Sequence, residues 1–331
     1  MYTIEEISSE QFHRLLSISE TDWITVVGTK AGVLFAVDTN EILAVLQYNT
    51  IRSEMDKDFA IRVQKNLLQP ILTTGRLEIE CAENTVTMAV ATVTEEDFEK
   101  RCSIQMPRHK AFITTLTQRL KILKPGDCFN AGDLGKIALL AKRFKTFVSC
   151  TGEYASIELR DGTCIVCKIT TPEFALTYNA MDALFRCSTK WQCMGTNVYA
   201  IDGNFGVLVT QCRSSNICMT NYFEADDAGA SMVFTCDYSD VITLLQRYKE
   251  CELSIDLDTN MAILTNADIC VRTTMFVKNL QRSEKYKENK VVVSASVVRD
   301  ILPKLSPAEV TVKVKRYFNQ IESGAFTILC K

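Results

Sequence analysis

A short apolar strand, a polar cap, an amphipathic helix and then alternating strands recur along this 331-residue chain, and that recurrence limits the fold more than any single residue does. Its clearest copies are Phe129-Asn130-Ala131-Gly132-Asp133-Leu134, Leu176-Thr177-Tyr178-Asn179-Ala180-Met181-Asp182, Phe234-Thr235-Cys236-Asp237-Tyr238-Ser239-Asp240-Val241 and Val292-Val293-Ser294-Ala295-Ser296-Val297. Each places Ser, Thr, Asn or Asp where the first free N–H groups of a helix need an acceptor. A looser copy, Ile7-Ser8-Ser9-Glu10-Gln11-Phe12, starts the chain. A chain assembled from copies of one unit points to a ring, an array or a solenoid before it points to an enzyme.

The strands between these helices follow from period-two alternation and turn residues. Helix Ser9 to Ser19 leads into strands Trp23 to Gly28, Gly32 to Val37 and Glu41 to Tyr48. A second helix is expected over Phe59 to Leu72, followed by strands at Arg76 to Cys81, Thr85 to Val93 and Cys102 to Met106. An additional helix over His109 to Leu123 reads as a connection, stopped by Lys124-Pro125-Gly126-Asp127. The unit then returns four times. Its expected helices end at Lys145, Thr189, Lys249 and Leu305, and the strands between them include Gln192 to Ile201, Ile217 to Phe223 and Cys270 to Val277. Arg160-Asp161-Gly162 is a hairpin turn. Six units pair into three domains, 1–107, 108–228 and 229–331, the second opening with the linking helix 109–123 and the last boundary set by the small, polar run Glu224 to Ala230. The fold class is therefore α+β, with three similar domains of two βαβββ units each.

Composition narrows the function. Hydrophobic residues make up 47% of the chain, ample for packed cores, and no apolar run approaches the ~20 residues that span a bilayer. Met1 to Glu6 carries acids where a secretory leader carries bases, so a cytoplasmic protein is expected. The 14 cysteines are scattered through apolar segments and read as reduced core residues. Cys164 and Cys167 form a CxxC on an expected strand, where positions three apart point to opposite faces, which excludes a zinc pair. No metal and no cofactor is expected. The two histidines, His13 and His109, have no nucleophile motif beside them, and no phosphate loop, nucleophile elbow or zincin motif occurs. No catalytic residue is assigned, and a non-enzymatic role is expected.

The net charge of −3 conceals an uneven distribution, strongly acidic over residues 1–107 and mildly basic after that. Bases collect on the expected helices: Lys136, Lys142, Arg143 and Lys145 on the third, and Arg62 with Lys65, Arg186 with Lys190, Arg247 with Lys249 and Arg299 with Lys304 on the others. Several pairs are spaced three or four apart and share a helix face. Bases near helix C-termini also complement the macrodipole, which is the ordinary explanation for any one pair. Their recurrence in five helices of an acidic chain favours a common, phosphate-facing surface. The first helix, with His13 and Arg14, fits this least.

Six such units in three domains resemble the bacterial type of DNA polymerase sliding clamp, the processivity ring. The resemblance covers nearly the whole chain and lies in architecture and spacing, most closely over Phe129 to Lys145 and Phe234 to Lys249. It implies helices lining a hole with sheets outside, a DNA clamp fold. Double-stranded DNA would pass through without sequence readout, and two copies would close the ring as a head-to-tail homodimer. It further implies a polymerase and a clamp loader as partners, bound as short peptides in an apolar cleft near the C-terminus. By position the candidates there are Phe174, Leu176, Phe326, Ile328 and Leu329, which otherwise read as core strand residues. Where the family usually carries a Thr-Asp-Gly-His-Arg-Leu-like turn, this chain has Ile169-Thr170-Thr171-Pro172-Glu173-Phe174, a departure that fits a phage or mobile-element version. A ring-forming scaffold without DNA shares the fold expectation and differs only in where the basic faces point, and an enzyme of unrecognised type is the remaining alternative.

Overall fold

Six copies of the unit follow one another in the computed structural model, which describes residues 2–4, 6–18, 21–30, 32–52, 58–68, 76–81, 85–91, 102–107, 128–212, 231–283, 289–305, 309–315 and 318–330. The first comprises β1 (Tyr2–Ile4), α1 (Ser9–Leu16), β2 (Trp23–Thr29), β3 (Gly32–Asp38) and β4 (Ile42–Tyr48), with the short β5 (Ile51–Arg52) after it. The second comprises β6 (Phe59–Gln64), α2 (Lys65–Leu68), β7 (Arg76–Cys81), β8 (Thr85–Ala91) and β9 (Cys102–Pro107). The third runs through β10 (Phe129–Asn130), α3 (Gly135–Phe144), β11 (Phe147–Thr151), β12 (Tyr154–Glu158) and β13 (Cys164–Lys168). The fourth contains β14 (Glu173–Thr177), α4 (Tyr178–Cys187), β15 (Lys190–Met194), β16 (Asn197–Asp202) and β17 (Phe205–Thr210). The fifth contains β18 (Met232–Asp237), α5 (Ser239–Arg247), β19 (Glu252–Asp256), β20 (Met261–Thr265) and β21 (Cys270–Thr274), followed by β22 (Val277–Arg282). The last contains β23 (Lys290–Val293), α6 (Val297–Leu305, a π-helical turn over Val297–Ile301 continued by Leu302–Leu305), β24 (Glu309–Val314), β25 (Asn319–Ser323) and β26 (Phe326–Cys330).

Strand pairing couples the copies two by two. The opening strand of each pairs with the second strand of its neighbour: β1 with β7 and β6 with β2, β10 with β15 and β14 with β11, β18 with β24 and β23 with β19. The last strands of four copies are also joined, β4 to β17 and β13 to β26. The resulting sheets run β5-β1-β7-β8-β9, β10-β15-β16-β17-β4-β3-β2-β6, β14-β11-β12-β13-β26-β25-β24-β18-β22 and β21-β20-β19-β23. Two compact bodies contain them. Met1–Gly132 with Asn179–Cys212 holds the first two sheets, and Asp133–Tyr178 with Arg213–Lys331 holds the others.

The core of the first body lies under its eight-stranded sheet. Phe12 of α1 meets the edge of Phe35 at 4.9 Å, and Phe35 meets Tyr48. Burying aromatic side chains supplies much of the apolar area that drives such a sheet and helix together. The opposite face of this sheet also carries a buried apolar cluster, Val27, Ala36, Leu43, Val45, Ala60, Tyr199 and Leu208, so its central strands lack the polar alternation of a one-sided sheet. In the second body most strands alternate, with Cys164, Val166 and Leu329 forming a small buried cluster on the face away from the core. Val148, Cys150, Ala155, Ile157 and Ile165 face the core, while Ser149, Ser156, Glu158, Lys313, Gln320 and Thr327 share the other face.

Three expected elements differ. The helix expected over Phe59 to Leu72 is the strand β6 followed by the single turn α2. Phe59, Ile61 and Val63 alternate and are fully buried, which a strand satisfies. The ring of Phe59 also lies directly over Gly28, where a β-carbon would come within 2.0 Å of it. The strand expected over Gln192 to Ile201 is broken by a turn at Gly195, whose φ of 58° is left-handed. The strand expected over Cys270 to Val277 ends at Thr274 and a separate strand, β22, begins at Val277. The helix expected at 109–123, the strand at 217–223 and the run at 224–230 lie outside the described residues.

A side-chain cap bond forms at α1, while before α3 and α5 polar side chains close turns ahead of the cap residues Leu134 and Tyr238, which make no such bond themselves. Ser8 Oγ accepts from Gln11 N–H before α1, Asn130 Oδ1 accepts from Gly132 N–H before α3, and Asp237 Oδ1 accepts from Ser239 N–H at α5. Cys164 and Cys167 face opposite sides of β13, and among the described residues no group of three His, Cys, Asp or Glu side chains gathers to hold a metal. Burial pushes the thiols of Cys164, Cys187, Cys236 and Cys330 up to about 12. Cys128 and Cys270 are exposed. At about pH 8, where alkylation follows the thiolate, iodoacetamide should therefore modify Cys128 and Cys270 while those four stay intact until denaturant is added. Peptide mass spectrometry reads this directly, and early labelling of the four would contradict the buried placement.

Candidate nucleic-acid interface

Helix α3 shows how the sequence separates core from surface. Ile137, Leu140 and Ala141 are buried at helical spacing, and Lys136, Leu139, Lys142 and Arg143 lie on the exposed side. Lys145 ends the helix in the left-handed region, with φ 51°, so its backbone turns away while its side chain stays exposed. Leu139 is 69% exposed, an apolar side chain amid cations.

Within the second body these cations sit in a hydrogen-bonded setting. Lys136 Nζ donates to the carbonyl of Leu305 at 3.4 Å. Arg143 donates to Asp300 Oδ1 at 2.9 Å. Arg299 donates through Nε and Nη2 to Asp300 Oδ2, at 3.0 and 2.6 Å, and through Nη1 to the carbonyl of Lys249 at 2.6 Å. Partial burial pushes the Asp300 carboxyl up, but Arg299 and then Arg143 outweigh it and hold it below its ordinary value. Arg247 lies over the ring of Tyr248 at 5.5 Å. Lys142, Lys145, Arg247, Lys249 and Lys304 are exposed.

The first body uses its expected cations differently. Arg62 belongs to β6, not to a helix, and its guanidinium lies 5.9 Å from the centre of the Trp23 ring. It shares the sheet face of Thr25, its cross-strand partner, rather than the helix-covered face. Lys65 donates from Nζ to the carbonyl of Ile18. Burial lowers its pKa, with Asp22 offsetting part of the effect. Arg186 pairs with Asp182 one turn earlier at 2.9 Å and donates to Ser17 Oγ at 2.8 Å. Arg14 bonds Glu10 and Asp202. Lys190 is exposed at the start of β15.

The sequence-expected bases thus divide by what they do in the fold. Arg62, Lys65 and Arg186 are committed to local contacts in the first body, and Arg143 and Arg299 to one carboxylate in the second. The acids that hold Arg186, Arg143 and Arg299, namely Asp182 and Asp300, are not among the expected site residues, nor is Asp202, which holds Arg14. The i, i+4 spacing of Asp182 and Arg186 carries a sequence signal, whereas Arg143 and Asp300 are 157 residues apart and carry none.

The apolar partner candidates all lie in the nine-stranded sheet. Phe174, Leu176, Phe326 and Ile328 are on its core-facing side, each no more than 5% exposed. Leu329 is on the opposite side, clustered with Cys164 and Val166 and packed by the half-buried Tyr154 and Phe318. Strand β14 lies four positions from β26, so at ~4.8 Å per strand Phe174 and Leu176 are about 19 Å from Phe326 and Ile328. The sheet places them in one layer without bringing the two pairs into contact.

Six strand–helix–three-strand copies, exchanging opening strands in pairs and joined by their last strands, make the fold that of the ring-shaped DNA clamps. The solved structures it matches include bacterial DNA polymerase III beta subunits. That of Pseudomonas aeruginosa matches with a TM-score of 0.69 and 10% identity, covering 100% of this chain and 99% of that one. The Thermotoga maritima beta subunit matches at 0.65 and 8%, covering 100% and 98%. The Helicobacter pylori beta clamp, solved bound to a DNA ligase peptide, matches at 0.65 and 12%, covering 100% and 99%. At such identities the likeness is one of fold. No protein-family model and no curated protein matches the sequence.

Because its ammonium serves the Ile18 carbonyl, Lys65 is expected to act on stability. Lys65→Met should lower the urea unfolding free energy by about 1 to 3 kcal/mol, the cost of leaving a buried acceptor unpaired, and should leave binding to duplex DNA unchanged. A variant of undiminished stability that bound DNA more weakly would return Lys65 to the interface.

Proposed function

We propose that this protein is a sliding clamp: two copies close head to tail around duplex DNA, hold it without reading its sequence, and tether a DNA polymerase and other replication proteins to it. One observation carries this reading. Among the described residues β9 ends one sheet and β21 ends another, and both are the last strand of their copy. Everywhere else in the chain last strands are joined, β4 to β17 and β13 to β26. Pairing β21 of one chain with β9 of the next satisfies the backbone donors and acceptors of these two last strands by the same rule, and two such junctions close a ring. An open edge otherwise invites uncontrolled pairing. On this reading the domains are 1–107, 108–228 and 229–331, matching the pairwise exchange of opening strands.

The whole-length likeness to DNA polymerase III beta subunits supports the choice of DNA as the object encircled. So do the exposed bases on and beside the helices, Lys142, Lys145, Arg247, Lys249 and Lys304, in a chain whose net charge is −3. Cations on a clamp that meets only phosphates give a salt-sensitive hold compatible with sliding. The peptide-bound Helicobacter pylori clamp supports partner recruitment through a short peptide. A polymerase and a clamp loader are the partners proposed here, in the cytoplasm. The nine-stranded sheet around Leu329 is the proposed place, with Phe174, Leu176, Phe326 and Ile328 shaping it from the core side. No helix among the described residues is long and apolar enough to cross a membrane. The role is one of binding, with no chemistry assigned to any side chain.

Sedimentation should give twice the 37.2 kDa chain mass. Pairing β21 with β9 in the register that joins β13 to β26 sets Cys270 opposite Gln105 or Met106. Gln105→Cys or Met106→Cys should therefore yield an oxidant-dependent covalent dimer through the exposed Cys270, absent when Cys270 is also replaced by Ser. Failure of any cysteine along β9 to cross-link would rule out this junction. Reversing Lys142, Arg143 and Lys145 to Glu should abolish retention on circular duplex DNA while leaving the dimer intact. Undiminished retention would favour a ring-forming scaffold that does not use these helices for DNA.

A further inference from the structure

Asp300 occupies an unusual place for an acid on a surface proposed to meet phosphates. It lies in the π-helical turn of α6 and accepts from two arginines on different elements, Arg143 of α3 at 2.9 Å and Arg299 at 2.6 and 3.0 Å. Arg299 is anchored a third time on the Lys249 carbonyl, just past α5. The group joins α3, α5 and α6, and its formal charge is +1 where two unaccompanied arginines would give +2. Asp300 also lines a cavity of about 330 Å³ together with Lys145, Arg160, Ser296 and Phe144. Solvent therefore reaches the carboxylate, and Arg143, whose side chain is 47% exposed, can exchange partners without opening a core. A π-turn commonly marks a place where helix geometry serves a local requirement. Here it falls on the residue that presents the carboxylate.

We propose that Asp300 is an intramolecular stand-in for a DNA phosphate, a positioning residue that holds Arg143 and Arg299 and thereby limits how tightly the clamp grips duplex DNA. The inference rests on the proposed clamp function and adds a residue that tunes it. A carboxylate and a phosphate both accept from the guanidinium fork, so DNA gains Arg143 only by displacing Asp300. Each arginine so occupied withholds one phosphate contact, and with it the counterion release that accompanies such a contact. A mobile clamp needs a grip weak enough to slide. An acid placed among its cations supplies that weakness without lengthening the path for any loader or polymerase. Lys145 is the natural comparison, an exposed cation beside the same cavity that bonds no carboxylate in the structure described above.

The test is the salt dependence of binding of the intact dimer to a duplex oligonucleotide, read by fluorescence anisotropy for the unaltered chain and for Asp300→Asn. Asparagine keeps the size and one acceptor oxygen while removing the charge. The proposal expects Asp300→Asn to bind more tightly at low salt and to steepen the plot of log affinity against log salt by about 0.9 for each arginine released. Adding Arg143→Gln to that variant should remove part of the gain. Equal or weaker binding by a folded Asp300→Asn would overturn it, since Asp300 would then be orienting the arginines toward DNA. Should Asp300→Asn fail to fold, Arg143→Gln and Lys145→Gln are compared in the otherwise unaltered chain. The proposal expects the Arg143 change to flatten the slope much less than the Lys145 change, and equal effects would refute it. If the unaltered dimer itself shows no salt-dependent binding to duplex, the clamp function fails, a result distinct from a clamp that binds DNA indifferently to Asp300.

Discussion

Backbone hydrogen bonding at strand edges is the constraint on which the rest of this structure depends. A strand leaves a row of N–H and C=O groups on each side, and each must find a partner or face water. In this chain opening strands are exchanged between neighbouring copies and closing strands are joined across copies. The helices follow from that arrangement, because each is strung between an opening strand and the three strands after it. Burial then chooses their faces. Phe12 and Leu15 of α1, Ile137 and Leu140 of α3, and Val241 and Leu245 of α5 are all buried, which leaves their polar sides outward. The placement of charge is thus a consequence of sheet pairing, reached through packing.

Sequence patterning made the hairpins and most helices readable, since alternation and cap residues are local signals. It failed at Phe59 to Gln64 for a physical reason. Phe-Ala-Ile-Arg-Val-Gln satisfies a strand if its odd positions are buried, but a helix reading is equally open when only polarity is counted. Docking of Phe59 on Gly28 and pairing with β2 decided the matter, and both are long-range facts. The same error carried Arg62 into a helix face it does not occupy. The turn at Gly195 and the break after Thr274 were missed because their flanking residues continue the alternation without an obvious interruption.

The candidate site was legible in outline and not in its wiring. Clusters of bases on helices stand out in a sequence, and Lys142, Lys145, Arg247, Lys249 and Lys304 are exposed as their spacing suggests. What a given base bonds to is set by groups far away in the chain. Asp300 takes Arg143, the Ile18 carbonyl takes Lys65, and Asp202 takes Arg14. No count of charges anticipates such pairings. The apolar candidates show the same limit in another form: Phe174, Leu176, Phe326 and Ile328 are strand residues of one sheet, but their distance apart depends on how many strands lie between, and the chain reveals that only once β11, β12 and β13 are in place.

The commitment of Lys65 to the Ile18 carbonyl, taken with the short helix that bears it, reaches beyond its own repeat. Copies related by architecture have parted company in electrostatics: the second spends Lys65 on backbone, while the third keeps Lys142 and Lys145 exposed and the fifth Arg247 and Lys249. Copies of one unit can thus share a fold while answering salt differently, the second holding its cation as a structural fastener and the third and fifth keeping cations where added salt can screen them.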